Sequence, residues 1–118
     1  MVTRADILKY ADENYNTKPE HLWEKYPSYE VLRHSRNKKW YAIIMDVPRN
    51  KVGLDGEDII DILDIKCEPE MVIALSSQKG FFRAYHMNKK HWITIILNGT
   101  IMDDEIYNLL DISYEMTK

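Results

Sequence analysis

The sequence predicts an α+β fold: a single domain over residues 1–118, built on an antiparallel β-sheet with helices packed on one face. Three observations carry that expectation. Apolar residues recur at helical spacing near both ends of the chain. The middle holds runs of β-branched and aromatic residues of strand length. Between several of these runs lie short turn-forming stretches, which join antiparallel neighbours.

Residues 3–16 read as the first helix. Thr3 with Asp6 three residues on resembles a capping box, and Ile7, Ala11 and Tyr15 recur every four residues beside Leu8. Pro19 and Pro27 punctuate the next stretch, so His21, Leu22 and Trp23 belong to an irregular segment that packs its indole down. From Tyr29 the period changes to two, with Tyr29, Val31 and Arg33 alternating with Glu30, Leu32 and His34. Trp40–Val47 is a second strand, ended by Pro48, and the polar run Ser35–Lys39 makes a hairpin of the pair, with Asn37 expected at positive φ at its tip.

Gly53, Asp55 and Gly56 mark a loop over 49–58, and Ile59–Lys66 reads as a third strand. Pro69 and Glu70 suit the first turn of a helix with Met71, Val72 and Leu75 inward and Gly80 as its stop. Phe81, Phe82 and Tyr85 lead into a second hairpin whose outgoing strand is Trp92–Leu97. A two-residue turn at Asn88-Lys89 would place His86 opposite His91. Asn98-Gly99 is a turn, and Asp103, Asp104 and Glu105 open a last helix with Ile106, Leu109, Leu110 and Ser113 on one face.

Composition narrows the function. Of 118 residues, 45% are hydrophobic and 30% charged, the balance of a chain that buries a core. A single cysteine, Cys67, excludes an internal disulfide and a Cys-based zinc site. No apolar run approaches the roughly 20 residues of a membrane span, and the N-terminal stretch lacks a signal-peptide core. The expectation is a cytoplasmic monomer with no membrane partner.

The net charge of −3 conceals segregation. No acid lies between Glu30 and Asp46 or between Glu70 and Asp103, whereas Arg33, Arg36, Lys38, Lys39, Lys79, Arg83, Lys89 and Lys90 do. Those windows carry +8 and the rest of the chain −11. The windows also echo each other: Asn37-Lys38-Lys39-Trp40 against Asn88-Lys89-Lys90-His91-Trp92, each a basic turn before an indole and a core strand.

Cations on protruding turns reach phosphates, and Asn37, Asn88 and His86 are the side chains suited to base edges. Trp40, Tyr41, Phe81, Phe82, Tyr85 and Trp92 read either as core or as stacking surface. A His86/His91 pair would bring two imidazoles to a metal with no third ligand evident, and an aromatic patch around Phe81, Phe82 and Tyr85 would suit a protein partner. Cys67 reads as a buried small residue. No nucleophilic triad, phosphate loop, dinucleotide fingerprint or zincin helix occurs, so neither an enzyme nor a cofactor is indicated.

Several stretches together resemble the MmcQ/YjbR family of small bacterial proteins. They are Leu22-Trp23-Glu24-Lys25-Tyr26-Pro27, Lys39-Trp40-Tyr41-Ala42, Gly53-Leu54-Asp55-Gly56, Asp64-Ile65-Lys66-Cys67 and Gly80–Trp92, followed by the C-terminal helix. The resemblance implies a fold similar to the bacterial frataxin homologue CyaY, and DNA binding of a double-wing type. Carried onto this chain, the wing positions are Arg33, Arg36, Lys38 and Lys39, and Arg83, His86, Asn88, Lys89, Lys90 and His91. With Asn37 and Lys79 they make up the expected DNA-contacting set, and DNA is the expected partner. The alternative is a small-molecule or metal-binding module of frataxin-like shape.

Overall fold

The computed structural model describes residues 1–118. In chain order the elements are α1 (Arg4–Tyr15), β1 (Glu30–Arg33), β2 (Trp40–Pro48), a 3-10 turn (Arg49–Val52), β3 (Ile59–Lys66), α2 (Pro69–Ser76), β4 (Phe81–Arg83), β5 (Trp92–Ile96) and α3 (Asp103–Thr117). The five strands form one antiparallel sheet in the order β1-β2-β3-β5-β4.

Alternation along the central strands gives the sheet two apolar faces. One is covered by the helices: Ile7 and Ala11 of α1, Val72 and Leu75 of α2, and Ile106, Leu109 and Leu110 of α3 pack on Ile44, Leu63, Ile65, Ile93 and Ile95. The other carries Val31, Ile43, Met45, Val47, Ile62 and Trp92, with Trp40 and Phe82 of the strands and Trp23, Tyr85 and Met87 of the connecting segments packed against them. A face without helices is therefore still apolar and largely covered, because aromatic side chains of the strand ends and of the connecting segments pack on it.

The first helix begins as its sequence dictates. Thr3 Oγ1 accepts the Asp6 N–H, and the Asp6 carboxylate accepts the Thr3 N–H in return. Replacing Thr3 by alanine is expected to cost about 1 kcal/mol in a denaturant titration, the worth of an N-cap hydroxyl. Arg4 then ties α1 to the sheet, donating to the Ser28 carbonyl, Glu30 (2.9 Å) and Asp61 (3.0 Å). Across the top of the helical layer the Tyr10 and Tyr15 hydroxyls both donate to Asp111 of α3.

Three local expectations change. The positive φ in the first turn falls on Lys38 (63°) rather than on Asn37. The second helix ends at Ser76, and Gly80 (φ 93°) instead closes the turn that enters β4. The second hairpin is short: Phe81, Phe82 and Arg83 pair with Ile95, Thr94 and Ile93, and the ladder stops there. The Thr94 hydroxyl accepts the next N–H, that of Tyr85, at 2.9 Å. His86 then turns away at φ 65°, leaving Ala84–His91 as a folded connection. His86 and His91 are consequently not cross-strand partners.

Candidate functional site

Strand polarity brings the two basic turns together. Both β2 and β5 run antiparallel to β3, so they run the same way, and Trp40 and Trp92 both begin at one end of the sheet. Lys66, the last residue of β3, is in register with Trp92 at that end. The turn before β2 and the turn before β5 thus emerge side by side, with the end of β3 between them.

The echoed sequences build the same local device. Asn37 Oδ1 accepts the Lys39 N–H at 2.9 Å, and Asn88 Oδ1 accepts the Lys90 N–H at 2.8 Å. Each asparagine closes a tight turn that carries a pair of lysines, of which Lys89 folds its ammonium back onto the Ala84 carbonyl. The first turn is pinned further, because Asn37 Nδ2 donates to the Thr117 carbonyl at the end of α3 (3.0 Å). His34 Nε2 sits against Thr117 Oγ1 (2.8 Å) and the Tyr114 carbonyl (3.1 Å). The second turn is held by Cys67 N–H to the His91 carbonyl (2.8 Å) and by Lys89 Nζ to the Ala84 carbonyl (3.1 Å).

Between the turns lies a cleft of about 420 Å³, lined by Lys39, Trp40, Lys66, Met87, Trp92 and the end of α3, with Glu68 its one acid. Lys66 Nζ stands over the Trp92 ring, 5.5 Å from its centroid. Around the mouth Arg36, Lys38, Lys89, Lys90 and His91 are exposed. Such a surface attracts polyanions, because several of its cations are exposed and few carboxylates compensate them.

The remaining expected contact residues lie differently. Arg33 is spent in a bidentate pair with Glu20 (2.6 and 2.8 Å). Both ends of the Asn37 amide are occupied, so it holds the turn and is not free to read a base. Asn88 keeps its amide N–H groups. Arg83 lies on the edge strand in a shallow groove with Lys51, Phe82, Tyr85, His86 and Lys89. Lys79 is at the opposite end of the sheet, one residue before Gly80, whose carbonyl accepts the Ile96 N–H.

Two buried groups complete the chemistry. Asp64 of β3 lies on the face away from the helices and is fully buried. Its Oδ1 accepts from Thr94 Oγ1 (2.5 Å), while Oδ2 has no partner. Desolvation pushes its carboxyl up to about 8, only partly offset by Thr94 and Lys89. Cys67 is buried, and desolvation pushes its thiol up to about 12, the reverse of what a nucleophile needs. No group of three His, Cys, Asp or Glu side chains is placed to hold a metal ion. Phe81 is buried on the helix side, and Phe82 and Tyr85 are packed against the other face, so the three do not form an exposed patch.

Five members of this surface were not singled out from the sequence: Lys66, Glu68, Met87, Met116 and Thr117. Lys66 ends an apolar strand, and only strand order reveals that it comes up between the turns. No helix is long and apolar enough to cross a membrane.

Comparison with known proteins places these features in context. The family model described as YjbR matches residues 13–116. The chain is 50% identical to the uncharacterised protein YyaQ of Bacillus subtilis over the full length of both. It is 39% identical to the uncharacterised protein YjbR of Escherichia coli over 54 residues, 45% of this chain and 46% of that one. A crystal structure of a Pseudomonas syringae protein superposes with a TM-score of 0.96 at 46% identity, covering 99% of this chain and 100% of the other. A Deinococcus radiodurans protein shares the fold with a TM-score of 0.75 at 24% identity, over 98% of this chain and 78% of that one.

Proposed function

The chain belongs to the YjbR family, and from that premise we propose that it binds duplex DNA through the paired basic turns before β2 and β5. The supporting observation is the shared polarity of those strands, which sets both lysine pairs at one end of the sheet. Two basic turns side by side support the double-wing reading that the family resemblance implies. Lys38 and Lys39 take phosphates on one side of the cleft and Lys89 and Lys90 on the other, with Arg36 and Lys66 beside them. These contacts position the protein without reading sequence. Asn88 and His91, exposed on the second turn, are the groups free to meet base edges.

The body of the protein is acidic, so binding is local and depends strongly on salt. Contact with ~4–6 phosphates gives a log–log salt slope of about −4 to −5. Lys38→Glu with Lys39→Glu, or Lys89→Glu with Lys90→Glu, is expected to abolish retention of a duplex in a mobility-shift assay at about 50 mM salt. Circular dichroism should stay unchanged. Lys79→Glu, a single reversal at the far end of the sheet and half the charge change, should leave retention as it was. Equal retention for the parent and both double reversals would refute the proposal.

A further inference from the structure

Beside the cationic cleft, on the sheet face away from the helices, lies a small, partly open pocket of about 170 Å³. Ile43 and Met45 of β2 line it with an aromatic group, Trp23, Tyr26 and Tyr29, from the segment before β1, and with His86 and Met87 from the connection before β5. The volume falls below the roughly 300–1,000 Å³ of ordinary small-molecule sites. It holds one heterocyclic ring system and little more.

The walls are set rather than loose. Trp23 stands edge-to-face on Tyr29 (5.8 Å, 75°) and on Trp40 (5.7 Å, 84°), and Tyr26 stacks on Tyr29 (4.7 Å, 12°). On the opposite side His86 is presented by its own left-handed backbone (φ 65°) and packs on the Tyr85 ring at 4.2 Å. Positive φ is uncommon outside glycine, though histidine takes it more readily than most residues, and here it turns the chain out of the strand direction where His86 lines the pocket.

Continuity with the cleft decides what fits. Met87 lines both spaces, and Trp40, a cleft residue, touches Trp23. A strand whose phosphates follow Lys39 and Lys66 therefore runs past the mouth of an aromatic pocket. No acid and no lysine lines that pocket, so it suits an uncharged planar ring attached to an anionic chain.

We infer that this pocket accepts one unstacked nucleobase, so that the protein favours nucleic acid with an unpaired base next to the bound phosphates over fully paired duplex. The inference rests on the DNA reading above and goes further, because phosphate contact alone is indifferent to pairing. The base inserts between the Trp23/Tyr26 wall and the His86/Met87 wall, and the imidazole at the rim is placed to hydrogen-bond its edge.

Anisotropy titrations at low salt with three labelled probes of equal length test this. The probes are single-stranded oligothymidylate, the same backbone with abasic sites throughout, and a fully paired duplex. Oligothymidylate is expected to bind about tenfold more tightly than the abasic strand, the scale of one stacked base. Its binding should also quench tryptophan fluorescence. Tyr26→Ala, at an exposed side chain, and His86→Ala, on the opposite wall, should each remove most of that advantage while leaving abasic-strand affinity unchanged. Equal affinity for the oligothymidylate and abasic strands, or variants that weaken both alike, would overturn the pocket inference and leave the duplex proposal standing. Absence of binding to every probe would overturn both.

Discussion

Asp64→Asn is expected to be more stable than the parent protein at pH 8 and to lose the parent's decline in stability between about pH 4 and pH 8. The folded protein holds the Asp64 carboxyl at about 8, whereas an unburied aspartate titrates at 3.8. Between those values the folded state keeps a proton that the unfolded chain has released. Stability must then fall as pH rises, by up to roughly 1.4 kcal/mol per pH unit. Above about pH 8 both states are ionised and the loss is complete. Asparagine cannot ionise, so the variant does not pay this cost.

The structural reason is the unpartnered Oδ2 of a fully buried side chain whose single polar contact is the Thr94 hydroxyl. His34 bends the profile the other way. Burial lowers its pKa from 6.5, so the unfolded chain binds its proton more readily and stability rises with pH below that value. Subtracting the parent's denaturant-unfolding curve from the variant's cancels His34 and isolates Asp64. Parallel stability profiles from pH 4 to pH 8 would show that Asp64 is ionised in the folded protein.

Gly80→Ala should be the most damaging single-methyl change in the chain's turns. Gly80 sits at φ 93°, and a Cβ there would stand 2.8 Å from Ile101 Cγ1 and 3.1 Å from Thr100 Cγ2. Left-handed backbone and overpacking together cost roughly 2–4 kcal/mol, a drop in melting temperature on the order of 10 °C. Pairing the change with Ile101→Ala removes the closest contacts and leaves the Thr100 contact and the backbone strain. The double variant should therefore be more stable than the sum of the two single losses requires. DNA retention measured well below the transition should be unaffected, because Gly80 is at the end of the sheet away from the lysine turns. A melting temperature within ~2 °C of the parent would refute the packing argument.

The elements were legible because their causes are local. The capping box at Thr3 and Asp6, the apolar runs of β2, β3 and β5, and Pro69 at the start of α2 all act within a few residues of themselves. The two basic stretches were legible as turns, and their echo is a shared Asn-closed turn, although the second is the end of a longer connection rather than a two-residue hairpin tip. Errors arose where a side chain bonded across the fold. Asn37 looked free because its partner, the Thr117 carbonyl, is 80 residues away. Arg33 looked available because Glu20 reaches it only once residue 20 bridges to β1. The second hairpin looked longer because nothing in the local sequence shows Thr94 taking the Tyr85 N–H while bonded to Asp64.

The sequence by itself determined the α+β class, the helix-covered sheet, and the concentration of cations in two acid-free windows. Helical and strand periods and turn chemistry are short-range, and they report on one element at a time. Only the tertiary structure decided that both lysine turns share one end of the sheet, that Lys66 rises between them and that Lys79 lies far away. It also created the aromatic pocket from segments 20–29 and 84–91. Those outcomes follow from the order in which strands pair, which balances burial over the whole chain and leaves no mark at any one residue.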